Sequence, residues 1–581
     1  MERAAGSDVV NSTSPFDGTH DFVVVGGGSA GCVLASRLSE KASNRVLLIE
    51  AGPDLTHEEE LPAIADPGTR TVFKSELFWP DFFVQGNAAS ENAAERTLPF
   101  LQARVLGGGS SVNGMHAQRG FPRDYDEWKA LGVTDWGWED VLPYFIKLES
   151  DCDFDGPLHG KQGPIPICRM KREQWARLAL AVEAKLRSDG LPLQEDLNAE
   201  FTDGVGPVPL NISPATRVSS ARGYLTQAVR ARSNLHILTG TEVEKVAIEK
   251  GRAVGVSIQT EQGVRRIAAR EVIISCGAVH SPALLQRSGI GPGAELHKMG
   301  ISVQADRPGV GQNLSNHLMM SLNAHLRHVA RRPRTDAPPC MLVARYSSRV
   351  PECPTSDMIL NLWERVPSPH VYDPLGRQIA DFMFILNKPF ARGEVILNTK
   401  APAGRPQVRF NMFDDERDFL RMVEAFRYGS SIMQSPTVAP LINLKFLLKP
   451  IPLLFAYLED NAKGRLLSRL GAPLIGTSDR VGAALLRRHW AIPLDTLPGD
   501  DAGLAQLVRS MTLVAGHPSG TCRLGRRDDP AAVVDTRGRV IGVEGLRVTD
   551  ASIFPTVMAA GTNLPTIMAA EKIASHISRH D

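Results

Sequence analysis

Three glycines spaced G-x-G-x-x-G (Gly26, Gly28 and Gly31) are followed by a carboxylate, Glu50, 19 residues past the last of them. The first glycine permits a tight turn, the second lets backbone approach a pyrophosphate, and the third packs helix against strand. A carboxylate at that distance is placed to accept a hydrogen bond from a ribose hydroxyl. Such a set binds an adenosine dinucleotide, with no choice made between FAD and NAD. Glycine-rich turns also match this spacing by chance, so the surrounding elements carry the argument. Asp21 to Val25 (DFVVV) reads as a strand buried on both faces, and a helix begins near Ser29, its free amides and positive end turned toward phosphate oxygens. RVLLIEAG reads as a second strand ending on Glu50.

Bulk properties narrow the class. A chain of 581 residues, 43% hydrophobic and 22% charged, has room for two domains with filled cores. Its 65 Lys and Arg against 64 Asp and Glu leave a net charge of +1, which gives no footing for nucleic acid or a polyanionic substrate. The seven cysteines (Cys32, Cys152, Cys168, Cys276, Cys340, Cys353, Cys522) contain no C-x-x-C pair. That scattered, odd set predicts buried free thiols in a reducing compartment, hence a cytoplasmic protein, and no metal site is expected. The first twenty residues lack both a basic start and an apolar stretch, and read as a loose leader with no export signal. The most apolar later run, INLKFLLKPIPLLFAYL, is interrupted by Lys445, Lys449, Pro450 and Pro452 and is too short to span a bilayer.

Between Ala103 and Gly120, ARVLGGGSSVNGMHAQRG places three successive glycines before Ser110, Ser111 and Asn113, a composition suited to a loop touching a ligand. GAVHSPALLQRSGIG, from Gly277 to Gly291, follows an apolar strand, REVIISC. These two segments resemble the paired signatures of the glucose-methanol-choline (GMC) oxidoreductases. DYDEW, GWEDVLPYF, HGKQGP, SSARGYL, PGVGQNLSNH and RGEVILN extend the resemblance over nearly the whole chain. HPSGTCRLG (His517 to Gly525) and VTDASIFPTVMAAGTNLPTIMAAEKIA (Val548 to Ala574) are similar to the family's catalytic and flavin-closing segments.

The resemblance implies an α/β protein with a Rossmann-like FAD domain that is discontinuous in sequence (19–165, 206–320 and 500–581). It also implies an α+β substrate domain built on an antiparallel sheet (166–205 and 321–499). By similarity Ser29, Ala30 and Glu50 hold the ADP half, with Val243 near the adenine, while Trp79, Val105, Gly109, Asn113, Gly114, Met115 and His116 line the flavin. Gly516, Asp550, Ala551, Leu564 and Pro565 complete the implied cofactor site. Val112 stands where relatives with covalent flavin carry His, so the FAD is expected to be non-covalent. Asn316 stands where relatives carry Asp, in what reads as a surface loop.

His517 is the implied base, since an imidazole with an unperturbed pKa of about 6.5 can take a hydroxyl proton near neutrality. Asn563 takes the family's second position, where its amide orients or stabilises an alkoxide. A helix capped by Thr562 or Asn563 would point its positive end at the flavin, with unpaired amides near Leu564, Pro565 and Thr566, of which the proline has no N–H. His116, His159, His280 and His317 read as structural or loop-positioning, and Cys522 as a small buried hydrophobe.

The implied activity is oxidation of an alcohol to an aldehyde or ketone, with oxygen or a quinone-type acceptor. A lyase of the hydroxynitrile type and a fatty-acid photodecarboxylase are the alternatives on the same scaffold. Alternating runs such as MLVARYSS and ADFMFILNK, between about 321 and 392, suit a sheet covering the flavin face. Residues 441–499 are longer than the family leads one to expect, rich in Leu, and carry eight basic against four acidic side chains. They read as a helical lid over a hydrophobic channel or, in the second reading, as a surface for peripheral membrane contact. Small residues at Ala515 and Gly516 leave space beside His517, which suits a bulky or hydrophobic alcohol.

Overall fold

The run THDFVVV forms the strand Thr19–Val25 inside a seven-stranded sheet, parallel to Val46–Ile49 on one side and to Gly263–Ile274 on the other. Val23 and Val24 are fully buried, as expected for a strand covered on both faces. The structure, a computed structural model, describes residues 18–55, 71, 74–86, 97–213, 216–331, 338–366, 376–449, 466, 478–497 and 500–578. Leu235–Leu238 continues the sheet beyond Val46–Ile49, and Leu546–Val548 pairs with Gly263–Ile274, both in parallel. Register aligns Val25 with Ile49 and Ile274, Ile49 with Leu238, and Ile274 with Val548. The carboxyl ends of five strands therefore share one edge, and the loops that leave them (Gly26, Glu50, Thr239, Ser275 and Thr549 onward) converge on one crevice.

A second sheet of eight strands runs in the order Ala491–Pro493, Ile442–Leu448, Leu318–Leu326, Ile379–Leu386, Met358–Trp363, Cys340–Tyr346, Gly204–Pro207. The eighth, Leu513–Val514, adds antiparallel to the start of Leu318–Leu326, and every pairing in this sheet is antiparallel. Period-two alternation splits its faces. Leu322, Leu360, Phe382 and Phe384 enter a core with Met422 and Phe426 of the helix Glu416–Gln434. Met319, Ile359, Met383 and Ile385 face the other way, into a cavity.

The described part of 441–499 is woven into this sheet. Ile442–Leu448 and Ala491–Pro493 form its edge, and the helix Asp479–His489 packs there through Leu486. These residues are sheet edge rather than lid, because their alternation gives a strand one face to bury. Residues 450–465 and 467–477 lie outside the described residues, as do residues 1–17 of the expected leader.

The expectation of free thiols fails for one pair. Glu149–Asp151 pairs with Ile165–Arg169, and Cys152 and Cys168, with Cα atoms 5.0 Å apart, are joined in a disulfide. Cys32, Cys276, Cys340, Cys353 and Cys522 are free. The thiol argument for a reducing compartment loses that pair as support. No described helix is long and apolar enough to cross a membrane.

Candidate active site

A cavity of about 650 Å³ runs from the carboxyl edge of the parallel sheet to the face of the antiparallel one. At the first end the helix Ser29–Leu38 begins with no side-chain cap and no acid in its first turn, which leaves its amides open to an anion. Gly26 has φ +97°, and a Cβ there would lie 2.5 Å from the Ser275 carbonyl oxygen. Gly108 has φ +53°, and a Cβ there would lie 2.7 Å from Cα of Gly28, so the two glycine loops touch backbone to backbone. Glu50 Oε2 accepts from Gly27 N–H and Oε1 from Gly52 N–H, both at 2.8 Å, which fixes the carboxylate on the wall. Burial pushes its pKa up, and these amides pull it back.

Val243 and Glu242 lie on the wall, as do Ser29, Ala30, Trp79, Val105, Gly109, Asn113, Gly114 and His116. Asp550 ties the loops together. Its Oδ2 accepts from Gly277 N–H at 2.9 Å and Ser281 Oγ–H at 2.5 Å, and its Oδ1 from Ser552 N–H at 2.8 Å. A Cβ on Gly109 or Gly516 would meet nothing within 4 Å, so both open onto space. A glycine-lined anion end, a fixed carboxylate and an open glycine floor fit FAD.

The second end is assembled by chain pairing. Leu318 pairs with Val514, Ala515 N–H donates to His317 O at 2.9 Å, and Ser315 and Ser519 exchange backbone bonds at 3.0 and 2.9 Å. His317 and His517, 200 positions apart, thereby stand with their Nδ1 atoms 2.9 Å from each other. His317 Nε2 lies 3.0 Å from the Met558 carbonyl oxygen, which can only accept, so that nitrogen carries the hydrogen. Burial, with a contribution from His517, holds the His317 pKa down to about 3, so the ring is neutral and its Nδ1 is a lone pair. His517 must then donate Nδ1–H, which leaves its own Nε2 bare. Burial pushes the His517 pKa down to about 4. Gly561 passes alongside, where a Cβ would come within 3.6 Å of that nitrogen.

Asn563 also lines the cavity, and its Oδ1 accepts from Ser29 Oγ–H at 2.8 Å, leaving the Nδ2 group as a donor. Thr562 rather than Asn563 receives the first helical bond, from Thr566 N–H at 3.0 Å. Thr566 therefore has no free amide to offer, contrary to expectation. Leu564 and Pro565 do not line the cavity either; their side chains are buried in the helix packing. Met115 is a third departure. It adopts φ 64°, with its N–H donated to Asn113 Oδ1 at 3.0 Å, and its side chain enters an apolar cluster with Leu210 and Ile212. Gly31 also lies off the cavity; a Cβ there would lie 1.9 Å from the Gly26 carbonyl oxygen, as its packing role requires. Gly28, Gly516 and Ala551 are on the wall.

Asn316 is not on a surface loop. It is 5% exposed, donates through Nδ2 to the Ala515 carbonyl at 2.5 Å, and accepts from His517 N–H at 3.1 Å. His116, His280 and His317 line the cavity instead of merely supporting loops, and His280 packs tilted against Trp79 with ring centres 4.7 Å apart. The proximity of His317 to His517 had no signal in the sequence beyond its place in QNLSNH. His159 does sit in a structural ion cluster with Asp151, Asp196 and Glu149, bonded to Asp196 at 2.7 Å, and these carboxylates raise its pKa to about 10 against the cost of burial.

Loops converging from a parallel sheet, a phosphate end and a paired-imidazole end define a dinucleotide-dependent oxidoreductase. Residues 20–319 and 389–570 match the two family models described as GMC oxidoreductase. The chain is 41% identical over 568 residues to a 5-(hydroxymethyl)furfural oxidase of Methylovorus sp. (strain MP688), covering 97% of this chain and 99% of that one. It is 32% identical to an oxygen-dependent choline dehydrogenase of Photobacterium profundum, covering 96% and 93%. Among solved structures it superposes on a pyridoxine 4-oxidase from Mesorbium loti with TM-score 0.79 and 28% identity, covering 97% and 100%. A formate oxidase variant of Aspergillus oryzae RIB40 shares the fold at TM-score 0.81 and 23% identity, covering 97% and 99%. The chain belongs to the GMC oxidoreductase family.

Proposed function

We propose that this FAD-dependent enzyme oxidises an alcohol to the aldehyde or ketone with His517 as the base, and that Val112 in place of a histidine leaves the FAD non-covalent. Bound FAD would supply the acceptor for the two electrons and hydrogen leaving the C–H bond. The observation that carries the reading is the hydrogen-bond chain from His517 through His317 to the Met558 carbonyl. It fixes His517 as the tautomer whose Nε2 takes the substrate O–H proton, and burial keeps that nitrogen unprotonated at neutral pH. Asn563 Nδ2, its oxygen tied to Ser29, donates to the alcohol oxygen as charge develops there.

Met319, Ile359, Ile385, Leu513 and Val514 make the wall beyond the base apolar, which suits an alcohol with a hydrophobic body. The 41% identical relative is named for a furan alcohol, and we propose an aryl or furanyl primary alcohol here. Both curated relatives are named for oxidation or dehydrogenation, which favours redox chemistry over the lyase and decarboxylase alternatives. Oxygen is the proposed acceptor, with a quinone as the alternative. Anaerobic mixing of the yellow protein with benzyl alcohol should bleach the flavin absorbance, and readmitted air should yield peroxide. His517→Ala should remain yellow while bleaching about 10²–10⁴ times more slowly. Bleaching at the wild-type rate in that variant would remove His517 from the mechanism.

A further inference from the structure

Most buried polar side-chain atoms find a partner, so those that do not point to a ligand. Among such atoms on the cavity wall, Asn361 Oδ1, Trp363 Nε1 and His116 Nε2 lie together, apart from the amide of Asn387, two residues past Ile385 in the other direction. Asn361 is only 5% exposed. Trp363 follows it on the same face of the strand Met358–Trp363, and His116 stacks on the Trp363 ring at 6.2 Å between centres and 22° between planes. Gly114 borders both rings, and a Cβ there would lie in ordinary van der Waals contact with them, at 3.4 Å from Trp363 and 3.7 Å from His116. The set offers one fixed acceptor, one fixed donor and one imidazole. His116 is neutral, held down to about 4 by burial and by the neighbouring His517.

Sheet register places this set relative to the base. Leu318 pairs with Val514, three residues before His517, and Met319 pairs with Ile385, which pairs in turn with Ile359. That row is wholly apolar. Asn361 opposes Met383 one two-residue step further along, and Trp363 a second step. At about 3.3 Å per residue, the polar set begins ~7 Å beyond the apolar row. The substrate side of the wall therefore reads base, apolar middle, polar end. None of the described residues that line that end is Lys, Arg, Asp or Glu.

We propose that Asn361, Trp363 and His116 form a second polar subsite, so that the preferred substrate is an alcohol carrying a neutral hydroxyl or carbonyl group across an apolar ring. This deepens the reading of the preceding section and rests on it. A hydroxyl there donates to Asn361 Oδ1 and accepts from Trp363 Nε1–H, while a carbonyl uses the indole and the imidazole. A carboxylate would meet no cation among the described residues that line this end.

The test needs the wild-type holoenzyme and four alcohols: 1,4-benzenedimethanol, 4-(hydroxymethyl)benzaldehyde, 4-methylbenzyl alcohol and 4-(hydroxymethyl)benzoate. The first two should show kcat/KM at least about tenfold above the methyl and carboxylate analogues, because unpaired buried atoms penalise a substrate that cannot satisfy them. Trp363→Phe, which keeps a ring and removes only the donor, and Asn361→Leu should each pull the diol-to-methyl ratio toward one. Equal rates for diol and methyl analogue, with the flavin still bleached, would overturn the subsite alone. A ratio untouched by both substitutions would overturn it as well. Failure of every alcohol to bleach the flavin would overturn the alcohol reading and the subsite with it.

Discussion

His317→Leu tests the tautomer argument directly. In the folded protein the His517 Nδ1–H is satisfied by His317 at 2.9 Å, and the acceptor is itself fixed by the Met558 carbonyl at 3.0 Å. Leucine removes the acceptor without adding charge. His517 then either keeps a buried N–H with no partner, at a cost of about 1–3 kcal/mol, or moves its hydrogen to Nε2 and loses the lone pair proposed to take the substrate proton. At about 1.4 kcal/mol per factor of ten, either outcome should slow flavin reduction roughly 5- to 150-fold.

The assay is anaerobic stopped-flow reduction across pH 5 to 9, with alcohol concentration varied so that the limiting rate and the apparent Kd separate. The limiting rate should fall while Kd moves little, because His317 acts through His517 rather than on the alcohol. The profile should stay flat over this range in both proteins, since His517 loses its proton only near pH 4. His317→Gln, whose Oε1 can accept the same hydrogen, should recover part of the rate. Wild-type reduction by His317→Leu would refute the reasoning, and so would a glutamine variant no faster than leucine.

Three other outcomes follow from named contacts. Asn316→Asp replaces the donor to the Ala515 carbonyl with an acceptor-only carboxylate, so thermal stability should fall by about 1–3 kcal/mol near neutral pH, and less at pH 4 where the acid can donate. Asp381 is half-buried, accepts from Ser321 Oγ–H at 2.9 Å, and desolvation of its carboxyl raises its pKa to about 7 from an unfolded value near 4. Its ionised form is disfavoured in the fold, so the penalty is absent below about pH 4, grows up to about pH 7 and is constant above it. Denaturant titrations of Asp381→Asn should match wild type at pH 4 and exceed it by about 1–4 kcal/mol at pH 8; a pH-independent difference would contradict this. Gly108→Ala forces a side chain at φ +53° against Gly28 backbone, and its purified protein should show a flavin-to-protein absorbance ratio well below wild type.

The parts of this enzyme that depend on neighbours along the chain were legible in its residues. A strand, a glycine turn and a helix follow one another within Thr19–Leu38, so the spacing of Gly26, Gly28 and Gly31 already dictates a phosphate cradle, and Glu50 ends the next strand for the same local reason. Alternating apolar runs suited a sheet over the flavin face because strand periodicity is a property of consecutive side chains, while its antiparallel pairing came only from the family resemblance. Tertiary pairing decided the rest. Ser315 meets Ser519 only because two distant loops exchange backbone bonds, and that alone sets His317 against His517 and buries Asn316 behind it. Cys152 and Cys168 became partners through strand pairing, not through any spacing motif. Likewise, a lone asparagine, tryptophan and histidine at 361, 363 and 116 carry no pattern in the chain, since whether a polar atom is left unpaired depends on everything that folds around it.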